Sequence, residues 1–170
     1  MLRTLILGLA LATATPAAAT TPADTPHLIF AFEETVTLGD ATSPGRTTMG
    51  TRNIVPITGG RFEGPGDGAG IRGTIMPGGW DWQLQRADGC WSVRADYMLK
   101  TDDGAIINVL NQGALCPPEN GVTKPTRTVA LFEPPLGRYQ WLGQSAMVGT
   151  LDVITDHGQP AVRIRFYRAE

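Results

Sequence analysis

One glycine-dense stretch decides the fold: Gly59-Gly60-Arg61-Phe62-Glu63-Gly64-Pro65-Gly66-Asp67-Gly68-Ala69-Gly70, followed shortly by Met76-Pro77-Gly78-Gly79-Trp80-Asp81-Trp82-Gln83. Nine of the 21 glycines of the chain fall between Gly59 and Gly79. Glycine reaches backbone conformations that other residues avoid, so it gathers where strands turn sharply or backbones approach closely. The stretch therefore predicts an all-β chain with tight turns.

Outward from this stretch, short strand-like segments alternate with Gly, Pro and Asp-Gly turns, and helical periodicity is nearly absent. The fold class we predict is all-β: a single antiparallel, calycin-like β-barrel of about 8–10 strands with little helix. An open two-sheet sandwich is the alternative, but closure would remove exposed sheet edges. A one-turn helix is weakly indicated within Pro134–Leu142. The predicted strands are Leu28–Leu38, Arg52–Thr58, Arg61–Gly64, Ile71–Met76, Trp80–Arg86, Trp91–Lys100, Ala105–Leu110, Arg127–Glu133, Tyr139–Leu151 and Val162–Arg168.

The N-terminus has the pattern of an export signal. A short basic start, Met1-Leu2-Arg3, precedes an apolar run and then Ala17-Ala18-Ala19, which is typical of a signal peptide cleaved after Ala19. The apolar run is shorter than the ~20 residues of a membrane span, although a retained anchor is the alternative. We expect a signal peptide at 1–19, a disordered lead-in at 20–26, and one barrel domain at 27–170 that is periplasmic or secreted and does not contact the membrane.

Charge and cysteine content narrow the function classes. The formal net charge is −2 and no Lys/Arg block exists, which argues against nucleic acid as a partner. In an oxidising compartment the two cysteines, Cys90 and Cys116, are expected to form a disulfide worth ~3 kcal/mol in the chain-entropy model. Two buried free thiols are the alternative. Neither cysteine has a CxxC context, so redox catalysis is not indicated.

The segment from Trp80 to Lys100 reads as a β-hairpin. Asp88-Gly89 is a strong two-residue turn pattern, and it makes Ala87 pair with Cys90. The resulting register predicts the opposing pairs Trp80 and Tyr97, Trp82 and Ala95, Leu84 and Val93, Gln83 and Arg94, and Asp81 and Asp96.

The predicted Asp81–Asp96 pair would bring like charges together. Such a pair destabilises a sheet and raises the pKa of one carboxyl, unless a cation such as Arg94 neutralises it. Raised carboxyls serve as general acids and bases. The simpler interpretation, which we favour, is a solvated outer face. The sharper one is a polar pocket inside the barrel.

Several motifs in order resemble the domain of unknown function 3237. They are Gly59-Gly60-x-Phe62-Glu63-Gly64-Pro65, Pro77-Gly78-Gly79-x-Asp81-Trp82-Gln83, Tyr97-x-Leu99-x-Thr101-x-Asp103-Gly104-Ala105, Arg127 upstream of Phe132-Glu133, and Tyr139-x-Trp141-Leu142. The resemblance covers Phe30 to the C-terminus and implies a compact β-barrel without an agreed activity. Most family members lack a signal peptide. The usual family pattern Asp-Ala-Arg-Tyr reads Arg94-Ala95-Asp96-Tyr97 here, so two charges have exchanged places.

The sequence contains no motif for metal binding, nucleophilic catalysis or phosphate binding. The two histidines, His27 and His157, stand far apart, so no zinc-ligand spacing exists, and we expect no metal. There is no G-x-S-x-G motif, and the glycine run lacks the G-x-x-x-x-G-K-[ST] pattern of a phosphate loop. We expect no cofactor.

Acid–base chemistry or simple binding therefore remains. The candidate catalytic residues are Asp81 and Asp96, and the candidate ligand-binding residues are Arg52, Glu63, Trp82, Arg94, Tyr97, Arg127, Glu133 and Trp141. The first hypothesis is an exported barrel that binds a small aromatic or carboxylated compound. The alternatives are a cofactor-independent lyase, isomerase or hydrolase, and a structural or interaction barrel without a pocket. Assembly into a homo-oligomer is left open.

Overall fold

The computed structural model describes residues 24–65, 70–123 and 125–170. The predicted signal peptide, residues 20–23 of the lead-in and glycine-run positions 66–69 lie outside the described residues. The described part forms one antiparallel sheet and one short helix, with the elements β1 (Leu28–Leu38), β2 (Thr42–Thr47), β3 (Gly50–Glu63), β4 (Arg72–Ile75), β5 (Gly79–Gln85), β6 (Trp91–Thr101), β7 (Ile106–Leu115), β8 (Thr126–Glu133), α1 (Trp141–Gln144), β9 (Met147–Asp156) and β10 (Gln159–Ala169).

The sheet closes into a barrel because β1 pairs with β10 on one side and with β3 on the other. β4 and β5 follow one another between β3 and β6 and share one position, so the ring has the eight strand positions of a small barrel. β2 lies outside the ring, and within the described sheet it pairs with β3 alone. The predicted antiparallel barrel with little helix is confirmed.

Gly59 and Gly60 bend β3 at the point where it pairs with β1. Where the sequence predicts two strands, β3 runs through Gly59 and Gly60, whose φ angles are 146° and 141°. The register with β1 slips between Thr37 and Leu38. A Cβ atom on Gly60 would lie 2.1 Å from the carbonyl oxygen of Thr35, so only glycine allows this approach. The bend lets β3 pair first with β5 and then with β4.

Aromatic side chains fill one end of the barrel. The ring centroids of Phe62, Phe132 and Phe166 lie 6.0, 5.7 and 5.0 Å from that of Phe32. Leu142 of α1 belongs to the same buried cluster. The predicted strand Tyr139–Leu151 is therefore wrong in its first half, where α1 packs against β8. Among the described residues, no helix has the length and apolar character needed to cross a membrane.

The β5–β6 hairpin turns through three residues, 87–89. The backbone N–H of Arg86 donates to the carbonyl of Cys90 over 2.8 Å, and Gly89 takes a φ of 82°. The Asp88 carboxylate accepts a hydrogen bond of 3.1 Å from the backbone N–H of Cys90. The predicted two-residue turn is therefore wrong, and with it the predicted register. A slip of one residue exchanges the faces on which the partner side chains lie.

The predicted disulfide is confirmed. Cys90 and Cys116 are bonded, with their Cα atoms 4.1 Å apart. The bond lies next to the cross-strand pair Trp91 and Leu115, and so joins the start of β6 to the end of β7. It therefore reinforces the barrel at the end away from the phenylalanine cluster, which consists of Phe32, Phe62, Phe132 and Phe166.

Candidate functional site

A cavity of about 170 Å³ lies inside the barrel, on the side away from the phenylalanine cluster. Val153, one of its lining residues, is 73% exposed, so the cavity opens to solvent there. Its walls are mostly aliphatic, with a few polar side chains between them. The lining residues are Val36, Leu38, Ile57, Asp81, Gln83, Val93, Ala95, Tyr97, Asn111, Leu115, Leu151, Val153, Val162 and Ile164.

The register of the β5–β6 hairpin separates the two aspartates predicted to act together. Asp81 lies opposite Ala95, and both side chains face the cavity. Asp96 lies opposite Trp80 on the outer face and is exposed. The predicted pairing of Asp81 with Asp96 is wrong, because the longer turn shifts every pair by one position. The charges that are exchanged relative to the family pattern, at positions 94 and 96, thus lie on the outside of the barrel.

A buried carboxyl group that the sequence analysis missed lies behind the cavity wall. Glu34 is 1% exposed, and its Oε1 accepts a hydrogen bond from the hydroxyl of Tyr97, which lines the cavity. The other oxygen, Oε2, has no hydrogen-bond partner among the described residues. Burial raises the pKa of Glu34 to about 8, although the Tyr97 hydrogen bond acts in the opposite direction. Glu34 is therefore protonated at neutral pH.

Tyr97 is the link between Glu34 and the cavity. Its ring is 2% exposed, and its hydroxyl group is held by the Glu34 carboxyl. Burial, then the charge of Glu34 and its hydrogen bond, and last the charge of Asp81 raise the pKa of Tyr97 well above its usual range. Tyr97 thus stays a phenol, able to donate a proton but not to lose one to solvent.

Asp81 is held in a different environment. Its two oxygens accept hydrogen bonds of 2.8 Å from Gln83 Nε2 and 2.9 Å from the backbone N–H of Arg94. Asn53 Nδ2 in turn donates to Gln83 Oε1 over 3.2 Å, which fixes the orientation of the Gln83 amide. Burial raises the pKa of Asp81, while both hydrogen bonds favour the charged form. Asp81 in the cavity and Glu34 behind its wall are therefore two carboxyl groups with contrasting surroundings.

Asn111 is the fourth polar group of the cavity. The side chain is 3% exposed, and its Oδ1 atom has no hydrogen-bond partner within the described part of the chain. Cross-strand pairing places Asp81, Ala95 and Asn111 in one row across β5, β6 and β7. A small side chain thus lies between two polar ones on the cavity wall.

Three of the predicted ligand-binding residues lie on the outer face beside the cavity. The exposed Trp82 side chain points away from the barrel, and the Arg52 guanidinium lies 5.8 Å from its ring centroid. Arg94 is exposed, and only its backbone reaches Asp81. The structure therefore brings Tyr97 and Asp81 together in the cavity, but not Arg52, Trp82 or Arg94.

The remaining predicted site residues are dispersed over the surface. Glu63 is exposed and lies 3.4 Å from Arg72, and the exposed Glu133 ends β8. Arg127 is exposed, and its guanidinium donates to the carbonyl of Thr126. Trp141 lies on α1, with the Arg168 guanidinium 5.6 Å from its ring centroid. In the described ranges, no group of three potential metal ligands occurs.

The two missed residues, Glu34 and Asn111, carry a readable pattern. Phe32, Glu34 and Val36 lie on one face of β1, so Glu34 shares an apolar face although its side chain is ionisable. Asn111 continues the inward series of Ile107 and Val109, beyond the predicted end of that strand. A search of the sequence for polar residues at the inward-facing positions of apolar strands identifies both of them.

Known proteins resemble this chain over most of its length. A UPF0311 protein of Rhodopseudomonas palustris is 35% identical over 133 residues, which are 71% of this chain and 84% of that protein. The crystal structure of a beta-barrel like protein from Acinetobacter baumannii matches with a TM-score of 0.74 and 28% identity, and covers 90% of this chain and 100% of that one.

One relative has a named activity. The hydroalkoxylation enzyme phnH of Penicillium herquei is 29% identical over 126 residues, which are 74% of each chain. The model of the family described as "Protein of unknown function (DUF3237)" matches residues 26–169. With its eight-position barrel, the chain therefore belongs to the DUF3237 family.

Proposed function

We propose that this protein is a cofactor-independent enzyme that moves protons on a small neutral compound bound inside the barrel. The observation that carries this proposal is the hydrogen-bonded pair of Tyr97 and the protonated Glu34 at the cavity wall. Two carboxyl groups with different surroundings can take the roles of acid and base. Here Glu34 takes the acid role through the Tyr97 hydroxyl, to which it is hydrogen-bonded. Asp81, which accepts two N–H hydrogen bonds, would act as the base, and Tyr97 would act as the acid.

The size and lining of the cavity limit the substrate. An apolar cavity of about 150 Å³ in a protein takes up a single benzene ring, and this one measures about 170 Å³. None of the lining residues that the structure describes is Lys or Arg. A carboxylated ligand would therefore lack a counter-charge and would meet Asp81. A neutral one-ring compound fits better.

The reaction we propose is the addition of a hydroxyl group across a carbon–carbon double bond of the same molecule, or its reverse. The name of the Penicillium herquei relative supports this choice. Asp81 takes the hydroxyl proton, a carbon–oxygen bond forms as the π bond breaks, and the other alkene carbon receives the Tyr97 proton. Glu34 then reprotonates Tyr97. The cycle closes when Asp81 releases its proton to solvent at the cavity mouth and a solvent proton returns to Glu34 through the Tyr97 hydroxyl. Atoms and electrons balance without an oxidant or a reductant.

The test is conversion of ortho-allylphenol to its cyclic ether, a dihydrobenzofuran, followed by chromatography. We expect Tyr97→Phe and Asp81→Asn each to lower kcat about 100-fold, which is the lower range for acid–base catalysis. Asp96→Asn is the matched control, because this carboxylate lies outside the barrel, and its activity should equal that of the wild type. Equal losses in Asp81→Asn and Asp96→Asn would contradict the proposal.

A small-molecule carrier is the second candidate, and the mostly aliphatic walls favour it. The same experiment separates the two functions. A carrier binds ortho-allylphenol in calorimetry but returns it unchanged, and Tyr97→Phe then affects only the affinity. That result would overturn the enzyme proposal.

We further propose that the protein works outside the cytoplasm. The Cys90–Cys116 disulfide, typical of oxidising compartments, supports this, as does the N-terminal pattern that ends at Ala19. Mass spectrometry of the full chain expressed in a bacterial host should find a mature protein that begins at Thr20 in the periplasm or the medium. A retained Met1 in the cytoplasmic fraction would contradict it.

A further inference from the structure

The unpartnered oxygen of Asn111 points to a ligand. A buried polar atom without a hydrogen bond destabilises a fold, and such atoms are rare in native proteins. Asn111 is almost completely buried, yet its Oδ1 atom remains unpaired in the part of the chain that the structure describes. The residue lines the cavity, so a bound molecule can supply the missing donor.

The surroundings of Asn111 define where that molecule would lie. Asp81, Ala95 and Asn111 form one row across three adjacent strands. Since neighbouring strands are about 4.8 Å apart, the backbones of Asp81 and Asn111 are separated by roughly 9.6 Å along the barrel wall. The methyl group of Ala95 leaves the space between them open. Tyr97, the next inward residue of β6, borders the same space.

We propose that the substrate is a ring compound with two hydroxyl groups, seated over Ala95, with one hydroxyl on Asp81 and the other donating to Asn111 Oδ1. This inference rests on the proposed function, in which the hydroxyl on Asp81 is the one that reacts. Asn111 then holds the far side of the ring and determines specificity. A compound with a single hydroxyl can react but leaves Asn111 unpaired.

The chemistry of the wall favours hydroxyl groups as partners. Asn111 Oδ1 and the carboxylate of Asp81 are hydrogen-bond acceptors, so the ligand has to donate on both sides of Ala95. A phenolic hydroxyl donates without carrying charge into an apolar cavity. A site built around such a hydrogen bond discriminates against an analogue that lacks the hydroxyl, because its own polar group is then left unpaired.

The experiment compares the binding of resorcinol, which has two hydroxyls, and phenol, which has one, by calorimetry. Wild-type protein should bind resorcinol about tenfold more tightly than phenol, the ratio expected for one additional hydrogen bond. Asn111→Leu should abolish that preference. It should also raise the melting temperature of the empty protein by about 2–4 °C, because it removes the unpaired oxygen.

A second variant keeps the test decisive if Asn111→Leu folds poorly. Ala95→Val fills the space between the two polar groups and removes none of them, so it should weaken the binding of both compounds at least tenfold. Equal affinities for phenol and resorcinol in the wild type would overturn the inference. So would a lower melting temperature of Asn111→Leu combined with an unchanged preference, which is the behaviour of an asparagine that holds an ordered water.

The two proposals fail in different ways. If ortho-allylphenol is converted but phenol and resorcinol bind alike, the role of Asn111 is overturned and the enzyme proposal stands. If resorcinol binding depends on Asn111 but no conversion occurs, hydroxyl recognition stands and the protein is a carrier.

Discussion

Glu34 shows how one residue ties stability to pH. The carboxyl is fully buried, and burial raises its pKa from 4.5 to about 8, although the hydrogen bond from Tyr97 acts in the opposite direction. The unfolded chain releases this proton near pH 4.5, whereas the folded protein keeps it up to about pH 8. Between these values the folded state binds more protons, so stability decreases as the pH rises.

We expect the free energy of unfolding to fall between pH 5 and pH 8, by an amount on the order of 3–4 kcal/mol for Glu34 alone. Asp81, whose pKa is also raised, acts in the same direction. Urea unfolding at several pH values measures the slope. Glu34→Gln is the matched control and should flatten most of it, since a glutamine cannot ionise. A slope unchanged in that variant would contradict the assignment.

At the scale of elements, β3 depends on glycine for its path past β1. Both Gly60 and Gly78 adopt a positive φ, but their surroundings differ. A Cβ atom at Gly60 would collide with the backbone of Thr35, whereas one at Gly78 would find open space. The bend in β3 is therefore set by a backbone contact as well as by the φ angle.

This difference gives a stability prediction. Gly78→Ala should lower the free energy of unfolding by about 1–2 kcal/mol, the penalty for a positive φ alone. Gly60→Ala should lower it by at least ~2 kcal/mol more, because the β1–β3 pairing must open. Urea midpoints of the two variants measure the difference. Similar midpoints would show that β1 and β3 can move apart at little expense in stability.

How far the sequence predicts each element depends on what stabilises it. The sequence predicts β1, Leu28–Leu38, to the residue, because apolar residues such as Phe32 and Val36 recur on the face that this strand turns to the core. β2 leaves no such pattern, since it lies outside the ring. The register of the β5–β6 hairpin depends on the hydrogen bond from the Cys90 N–H to the Asp88 carboxylate. The Asp-Gly pattern does not specify this contact.

The same limit applies to the candidate site. Asp81 and Tyr97 were predicted, and the cavity contains both. Asp96 was grouped with Asp81 through the wrong register, and Asn111 fell beyond the predicted end of β7. In a strand, an error of one residue reverses inside and outside. The sequence thus identifies residue types that occur in the cavity, but it does not assign each of them to the correct face of its strand.

For the whole molecule, closure and the disulfide act together. Each ring strand is paired on both sides, and the Cys90–Cys116 bond ties β6 to the end of β7 beside the cavity. Leu115, next to this bond, lines the cavity. The covalent link therefore restrains the same part of the barrel wall that the ligand would contact.

We expect the double variant Cys90→Ser/Cys116→Ser to lose about 3 kcal/mol of unfolding free energy, because the unfolded chain gains the freedom of a loop of about 25 residues. Urea unfolding of the oxidised wild type and of the variant measures this loss. The wild type under a strong thiol reductant should match the variant. Identical midpoints for all three samples would contradict the prediction.

The position of β2 has a consequence for behaviour in concentrated solution. A closed ring offers no free strand edge for addition of another chain, so in the described sheet the edge strand is β2, which pairs only with β3. Pro44, at its centre, has no N–H to donate, and the register breaks between Thr42 and Gly45. Both features protect this edge of the described sheet against intermolecular β-aggregation.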